Sequence, residues 1–253
     1  MASDPLRLLC VLAHPDDETL GVGGTLAHYA AEEVETHVLT ATRGEAGRYG
    51  HDDTPHPGAE ALGRIREEEL RAAADVLGVD SVEILGYPDG GLDGVDAREA
   101  VARIAQHVRR VRPQVVVTFD PFGAYGHPDH IAISQLAGAA VVAAAGNADP
   151  RVPNGAPGPT GEGAGGPTDP PGRSGGSGPP GEVTRAASPP PWAVSKLYHM
   201  AWSRELWDAY QAAFKTLTST VDGEVRAARP WPEWALTTRI DATEHWRTVW
   251  RAV

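Results

Sequence analysis

Several features of secreted, membrane-bound and nucleic-acid-binding proteins are nearly absent from this chain of 253 residues. Its single cysteine, Cys10, excludes any disulfide within the chain. No apolar run approaches the ~20 residues that a membrane-spanning helix needs. The formal net charge is −12, and no stripe of Lys or Arg interrupts it. These properties argue against a membrane span, and against nucleic acid or an anionic membrane as the main partner.

The N-terminus also lacks a charged segment followed by a long apolar one, so we do not predict a secretory signal there. We therefore predict a cytoplasmic protein. Cys10 stands inside an apolar run, and we interpret it as a buried structural thiol. Association into a homo-oligomer is compatible with the composition and stays open.

Short apolar runs alternate with segments of helical periodicity along most of the chain. Such alternation is typical of βαβ units and a parallel sheet. We predict an α/β fold, a Rossmann-like three-layer sandwich with a mainly parallel sheet. The predicted strands are Leu6–Ala13, Thr36–Ala41, Val82–Leu85, Val115–Phe119 and Ser195–Met200, and the predicted helices are Thr19–Glu32, Glu60–Leu77, Arg98–Val111, Asp129–Ala144 and Glu205–Leu217.

A stretch rich in Gly and Pro, at about residues 146–191, interrupts this pattern. We predict one domain over residues 1–253 with this stretch as a flexible insertion, a linker rather than a gate over the site. All seven tryptophans follow it, and Trp231–Trp250 is predicted to form a final packed segment. These tryptophans suit core and cap packing, or alternatively stacking on a sugar ring.

Two short segments combine histidine and aspartate: AHPDDE at Ala13–Glu18 and GHPDH at Gly126–His130. Clustered carboxylates repel one another unless a cation or a proton lies between them. Each segment alone reads as a turn. Both directly follow predicted strands, and in open α/β sheets ligands bind beyond the carboxyl ends of the strands. The two segments are therefore predicted to form one site.

The residue types in these segments suit a divalent metal. His14 and Asp17 are close enough in sequence to reach one ion, and His130 supplies a third ligand from the second segment. Two imidazoles and a carboxylate resemble catalytic zinc sites, which leave a position for water. We predict Zn²⁺, although Fe²⁺ or another divalent metal also suits this donor set.

The remaining polar residues of the segments have candidate catalytic roles. Asp16 is adjacent to a ligand and is predicted to be the general base that takes a proton from water and later delivers it to the leaving amine. His127 and Tyr125 are predicted to stabilise an oxyanion. Asp129 is predicted to orient a ligating imidazole from behind.

Five segments together resemble the LmbE-like, or PIG-L, zinc-dependent N-deacetylases: AHPDDETLGVGG, TRGEAGRYG, RIREEEL, YPDGGL and AYGHPDHIAIS. The resemblance runs from the first strand to about Val142 and resumes weakly near Lys196. It implies a Rossmann-like fold and the same metal ligands, base and oxyanion residues as above. It also implies substrates derived from N-acetylglucosamine, such as precursors of low-molecular-weight thiols, glycolipids and glycopeptide antibiotics.

The same resemblance implies four substrate-binding residues. Arg66 and Asp89 would lie at the sugar, with Asp89 bonding ring hydroxyls, and Arg43 and Glu45 would line the pocket. For Arg66, a solvated helix face is the alternative. The insertion departs from the family pattern, and the chain ends at Val253, where the family's terminal helix is expected to continue. Both departures bear on the aglycone preference.

These observations predict a metal-dependent N-deacetylase. It would hydrolyse the acetamide of an N-acetylated amino sugar, in a small molecule or glycoconjugate, to a free amine and acetate. The alternatives are an amidase acting on a related thiol or sugar conjugate, a non-hydrolytic Rossmann-type cofactor-binding protein, and a metal-binding protein without catalytic activity. The missing G-x-G-x-x-G pattern argues against the cofactor-binding alternative. The presence of Asp16, the predicted general base, argues against a metal-binding protein without catalytic activity.

Overall fold

A computed structural model of the protein describes residues 4–50, 54–146, 189–213, 217–221 and 223–253. Its main sheet has five parallel strands in the order β3-β2-β1-β4-β5, which confirms the predicted fold. Continuous apolar runs form the central strands because both of their faces are covered. The strands are β1 (Arg7–Leu12), β2 (Glu35–Thr42), β3 (Ser81–Tyr87), β4 (Val115–Thr118) and β5 (Lys196–His199).

Helices cover both faces of this sheet. Three of them, α1, α2 and α7, contact one another on one face, while α3 packs against α5 on the other. This division follows from right-handed crossovers, because the chain moves one way across the sheet after β1 and the opposite way after β3. The helices are α1 (Asp17–Ala31), α2 (Ala59–Leu77), α3 (Ala97–Val111), the short turn α4 (Gly123–Gly126), α5 (Pro128–Ala145), α6 (Arg204–Ala213) and α7 (Trp246–Ala252).

The strand order reverses direction between β1 and β4. From β1 the chain passes outward to β2 and β3, and it then returns to place β4 on the other side of β1. Loops that leave two such strands diverge, so a crevice opens at their carboxyl ends. The AHPDDE segment follows β1, and the GHPDH segment follows β4 and its turn. The topology therefore brings the two segments to one crevice.

The chain after the insertion differs from the sequence prediction. Strands β6 (Thr218–Val221) and β7 (Glu224–Ala227) form an antiparallel hairpin that was not predicted, since it is short and largely exposed and carries no apolar pattern. The predicted final packed segment, Trp231–Trp250, contains two 3₁₀ turns and most of α7. Helix α7 packs against α1 and α2, whereas Trp234 is 87% exposed. Residues 147–188 of the insertion and residues 214–216 after α6 lie outside the described residues.

The core lies on both sides of β1, where Leu9, Val11 and Leu12 are fully buried. Leu26 from α1 covers one face and Ile133 from α5 belongs to the same apolar cluster. Among the helices that the structure describes, none is at once long enough and apolar enough to cross a bilayer.

Cys10 lies at the centre of β1 with no exposed surface. Burial, with a smaller effect of the Glu18 charge, raises the pKa of its thiol to about 12. Because the thiolate is the reactive form, we expect no reaction with 5,5′-dithiobis(2-nitrobenzoate) at pH 8 in the native protein. One equivalent should react after unfolding in guanidinium chloride. Rapid stoichiometric labelling of the native protein would contradict this account of the core.

Candidate active site

Three side chains predicted as metal ligands meet at the crevice. His14 Nδ1 lies 3.2 Å from His130 Nε2, and His130 Nε2 lies 3.4 Å from Asp17 Oδ1. His14 Nδ1 lies 3.7 Å from the other carboxylate oxygen of Asp17. All three side chains are at least nine-tenths buried. The first helical turn of α1 supplies Asp17, and the first turn of α5 supplies His130.

These distances suit a small divalent cation. Bonds of about 2.0 Å in a tetrahedral zinc site place the ligand atoms about 3.3 Å apart. Two other groups of candidate ligands, each with donor atoms within 4.8 Å of one another, also occur among the described residues: His14, His127 and His130, and His14, Asp89 and Asp129. The set that contains Asp17 has His14 Nδ1 and Asp17 Oδ1 at 3.2 and 3.4 Å from His130 Nε2, close to that spacing.

Two carboxylates fix the orientation of the His14 ring. Its Nε2 lies 3.2 Å from Asp129 Oδ2 and 3.1 Å from Asp89 Oδ1, so these acceptors require a proton on Nε2. Burial alone lowers the pKa of His14, but the bonds to Asp129 and Asp89 outweigh it and raise that pKa to about 10. The Nδ1 atom then faces Asp17 and His130, where a cation would take the place of a proton.

Asp129 is fully buried beneath His14. Its Oδ1 accepts a hydrogen bond from Leu92 N at 3.0 Å, and its Oδ2 accepts one from Gly90 N at 2.8 Å. Burial would raise the pKa of Asp129, but these bonds and the one from His14 lower it. The side chain is thus held as a carboxylate in contact with the His14 imidazole.

Asp89 lies at the crevice and contacts His14. It was expected to bond sugar hydroxyls, but its side chain is only 8% exposed and its Oδ1 faces His14. Its Oδ2 accepts a hydrogen bond from Ala46 N at 2.8 Å. Both oxygens are therefore engaged within the protein in this structure. Asp89 instead forms part of the support of the His14 ring.

Asp16 has a left-handed backbone conformation, with φ 99° and ψ −27°. Few residues other than glycine adopt it, and such strain is kept where neighbours hold the chain. Arg66 Nη2 donates to Asp16 Oδ2 at 2.8 Å, and Asp16 N donates to Glu18 Oε2 at 3.0 Å. The Asp16 side chain is 54% exposed toward the crevice, in contrast to the buried Asp17.

The pKa of the Asp16 carboxyl is raised to about 6, first by burial and then by the charge of Asp17, while Arg66 and His14 oppose the shift. Because half of the side chain is exposed, water screens part of these effects. A carboxylate with a pKa near neutrality, open to the crevice, suits a group that both takes and returns a proton.

Arg66 connects the two loops at the crevice. Its side chain is only 15% exposed, which excludes the alternative of a solvated helix face. Besides Asp16, its guanidinium donates to Gly44 O at 2.9 Å and to Pro15 O at 2.5 Å. It therefore holds the strained Asp16 loop against the loop after β2.

Arg43 and Glu45 line an open cleft of about 350 Å³ beside this loop. Arg43 is half exposed, with its Nε 3.4 Å from Glu67 Oε2, and Glu45 Oε1 accepts a hydrogen bond from Asp89 N at 3.0 Å. The cleft lining contains none of the three residues that meet at the crevice. Its other lining residues are Ala59, Glu60, Gly63, Gly86 and Tyr87.

The contact between Arg66 and the loop depends on Gly44, whose φ is +66°. A Cβ at this position would lie 2.1 Å from Arg66 Nη1. We expect Gly44→Ala to lower the free energy of unfolding by about 2–4 kcal/mol, from backbone strain plus the clash. The control Gly86→Ala has a similar φ of +75° with no atom within 4 Å, and should cost about 1 kcal/mol. If urea unfolding shows that Gly44→Ala and Gly86→Ala lose the same free energy of unfolding, the clash with Arg66 plays no role.

His127 and Tyr125 stand on the α5 side of the crevice. The ring centroid of His127 is 4.9 Å from that of His14, and its Nδ1 accepts a hydrogen bond from Asp129 N at 3.2 Å. Burial and the nearby His14 lower the pKa of His127. The Tyr125 ring lies 5.3 Å from that of His130, and burial with the Asp17 charge raises the pKa of its hydroxyl. Tyr125 therefore keeps its proton at neutral pH and is available as a donor.

Glu18 is a site residue that the sequence reasoning missed. It is 1% exposed, accepts from Asp16 N, and also accepts from Thr19 Oγ1 at 2.7 Å. It supports the strained loop from below. An acidic residue in a first helical turn usually lies at the surface and stabilises the helix dipole, so no sequence signal distinguished it.

The family described as "PIG-L: GlcNAc-PI de-N-acetylase" matches residues 9–141, more than half of the chain. This range includes both HPD segments and every residue of the crevice discussed above. It ends before the insertion.

Several relatives carry the name 1D-myo-inositol 2-acetamido-2-deoxy-alpha-D-glucopyranoside deacetylase. The protein from Kineococcus radiotolerans is 42% identical over 168 residues, which cover 56% of this chain and 46% of that relative. The protein from Nocardiopsis dassonvillei is 34% identical over 94% of this chain and 79% of its own length. This chain thus spans about half the length of the first of these relatives.

A solved structure with a similar fold is the N,N′-diacetylchitobiose deacetylase from Pyrococcus horikoshii, in complex with an inhibitor. It is 29% identical, with a TM-score of 0.50 over 56% of this chain and 51% of that one. The similarity therefore covers about half of each protein.

Proposed function

This chain belongs to the PIG-L family, and on that premise we propose that it is a metal-dependent N-deacetylase of an N-acetylated amino-sugar conjugate. The products would be the free amine and acetate. One observation carries the proposal: His14, His130 and Asp17 present a compact donor set, with atoms 3.2 and 3.4 Å apart, beside the exposed carboxylate of Asp16.

His14, Asp17 and His130 would hold the divalent cation, with zinc as the proposed metal and Fe²⁺ as the alternative. When bound, such a cation supplies Lewis-acid chemistry at the scissile carbonyl. Asp129 and Asp89 would keep His14 in the tautomer that directs Nδ1 toward the site.

The other residues of the crevice would move protons and stabilise charge. Asp16 would take a proton from the attacking water and deliver it to the leaving amine. The hydroxyl of Tyr125 and the imidazole of His127 would stabilise the oxyanion that develops at the former carbonyl oxygen. Arg66 would fix the Asp16 carboxylate, while Arg43 and Glu45 would contact the sugar conjugate in the adjoining cleft.

The names of the relatives support a finer proposal for the substrate, an N-acetylglucosaminyl inositol. The test is amine release from this compound, from N,N′-diacetylchitobiose and from methyl N-acetylglucosaminide, with metal content measured on the same preparation. We expect stoichiometric metal and fastest release from the inositol conjugate. Release of no amine from any of the three by the metal-loaded protein would overturn the proposal. Cleavage of a larger amide conjugate without acetate production would favour the amidase alternative.

Three predictions made from the sequence accompany this proposal. They are one domain over residues 1–253, a cytoplasmic location and, as a state that the sequence leaves open, assembly into a homo-oligomer. Sedimentation of the purified protein would decide the last of these.

A further inference from the structure

The turn between β4 and α5, which carries Tyr125, has an unusual backbone. Gly123 has φ +63°, and Ala124 has φ 61° and ψ −71°. A residue with a Cβ rarely adopts the conformation of Ala124, and it persists only where the surrounding structure imposes it. Contacts from neighbouring groups must therefore hold the chain that leads into Tyr125.

Asp120 holds the Gly123–Ala124 amide from within the turn. Its Oδ1 accepts a hydrogen bond from Ala124 N at 2.7 Å, and Asp120 itself is 5% exposed. Two residues of the β6–β7 hairpin add outer contacts. Ser219 Oγ donates to Tyr125 O at 3.2 Å, and a Cβ at Gly126 would lie 2.7 Å from the side chain of Arg226.

The second oxygen of Asp120 is held by a residue far along the chain. Trp231 Nε1 donates to Asp120 Oδ2 at 2.6 Å. Trp231 is itself fixed, because its backbone N donates to Trp202 O at 2.9 Å and its ring lies 5.5 Å from that of Phe122. A chain of hydrogen bonds therefore links the segment after the insertion to the backbone amide of Ala124, which precedes Tyr125.

We propose that Trp231 is a positioning residue that acts through Asp120 on the Gly123–Ala124 amide, one residue before Tyr125, and so places the Tyr125 hydroxyl at the metal site. The proposal rests on the proposed function for the catalytic role of Tyr125. Trp231 orients Asp120, Asp120 holds the strained amide, and the amide fixes the direction of the Tyr125 side chain. The C-terminal segment thereby contributes to the geometry of a site whose own residues precede the insertion.

Trp231→Phe tests this directly, because it keeps a ring next to Phe122 but removes the donor to Asp120. Small displacements of a catalytic group reduce turnover strongly, so we expect kcat to fall about 10-fold with KM and metal content unchanged. The control Trp234→Phe alters a side chain that is 87% exposed and should match the wild type. The double variant Trp231→Phe/Tyr125→Phe should be no slower than Tyr125→Phe alone. Wild-type kcat in Trp231→Phe, or additive losses in the double variant, would overturn the proposal.

A readout independent of activity separates this proposal from the proposed function. In protein labelled with 3-fluorotyrosine, the Tyr125 resonance is identified by its loss in Tyr125→Phe. We expect it to shift or broaden in Trp231→Phe and to stay in place in Trp234→Phe. An unmoved resonance would overturn the positioning role even in an active enzyme, whereas an inactive wild type with a shifted resonance would overturn only the deacetylase. Asp120→Asn, which retains one acceptor oxygen of two, is the second variant if Trp231→Phe unfolds.

Discussion

Asp16→Asn is expected to reduce kcat for amine release by at least about 10²-fold while the protein keeps its metal. In the wild type, Arg66 Nη2 donates to Asp16 Oδ2 at 2.8 Å. The substitution preserves the shape of the side chain and leaves one oxygen that can accept this hydrogen bond. It removes the group that takes a proton from water. It also removes the repulsion that Asp17 exerts on Asp16, so folding should not suffer.

The measurement pairs steady-state kinetics with metal analysis of the same samples. Asp75→Asn, at an exposed position of α2, serves as a matched control and should retain wild-type kcat. Loss of metal from Asp16→Asn in parallel with activity would place Asp16 among the ligands and refute its role as base. Full activity with full metal content would show that another group moves the proton.

His130→Ala is expected to lower metal affinity by more than about 100-fold, beyond the effect of removing a residue behind a ligand. His130 is 2% exposed, and its ring stacks on Phe119 with centroids 3.8 Å apart. Because the variant also loses this packing, circular dichroism must confirm that it is folded. Metal retained after dialysis, with activity intact, would remove His130 from the ligand set.

The same assay distinguishes the two donor sets that share His14 and His130. If Asp17 is the third ligand, Asp17→Asn should lose metal as severely as His130→Ala, while His127→Ala should keep its metal and lose turnover. If His127 is the third ligand, His127→Ala should lose its metal and Asp17→Asn should keep it. The spacing of 3.4 Å between Asp17 Oδ1 and His130 Nε2 leads us to expect the first outcome.

The elements that precede the insertion were predictable because their signals are local. The run at Arg7–Leu12 is apolar on both faces of a strand, and the stripes of Ala59–Leu77 and Ala97–Val111 repeat at helical spacing. That the two HPD segments meet was also predictable. It depends only on strand order and on the rule that places sites at the carboxyl ends of parallel strands.

Contacts between distant residues left no local signal. The sequence around Asp89 indicates a turn, yet its side chain lies behind His14. The pattern of a helix surface does not distinguish Arg66 or Glu18 from solvated residues. The bond between Asp120 and Trp231 joins residues 111 positions apart. Each of these depends on which surfaces the folded chain brings together. The family resemblance placed Arg66 and Asp89 near the site but assigned both to the sugar.

The return of β4 to the side of β1 also determines when the crevice can come into existence. His14 and His130 are 116 positions apart, and their approach requires the outer strands and their crossovers to have closed a long loop at considerable entropic cost. A partly folded chain with only the first βαβ units therefore offers an isolated histidine and a carboxylate, which bind a cation weakly. A bound cation would stabilise only the completed sheet. Binding of the cation in the crevice would therefore be thermodynamically coupled to the completion of folding.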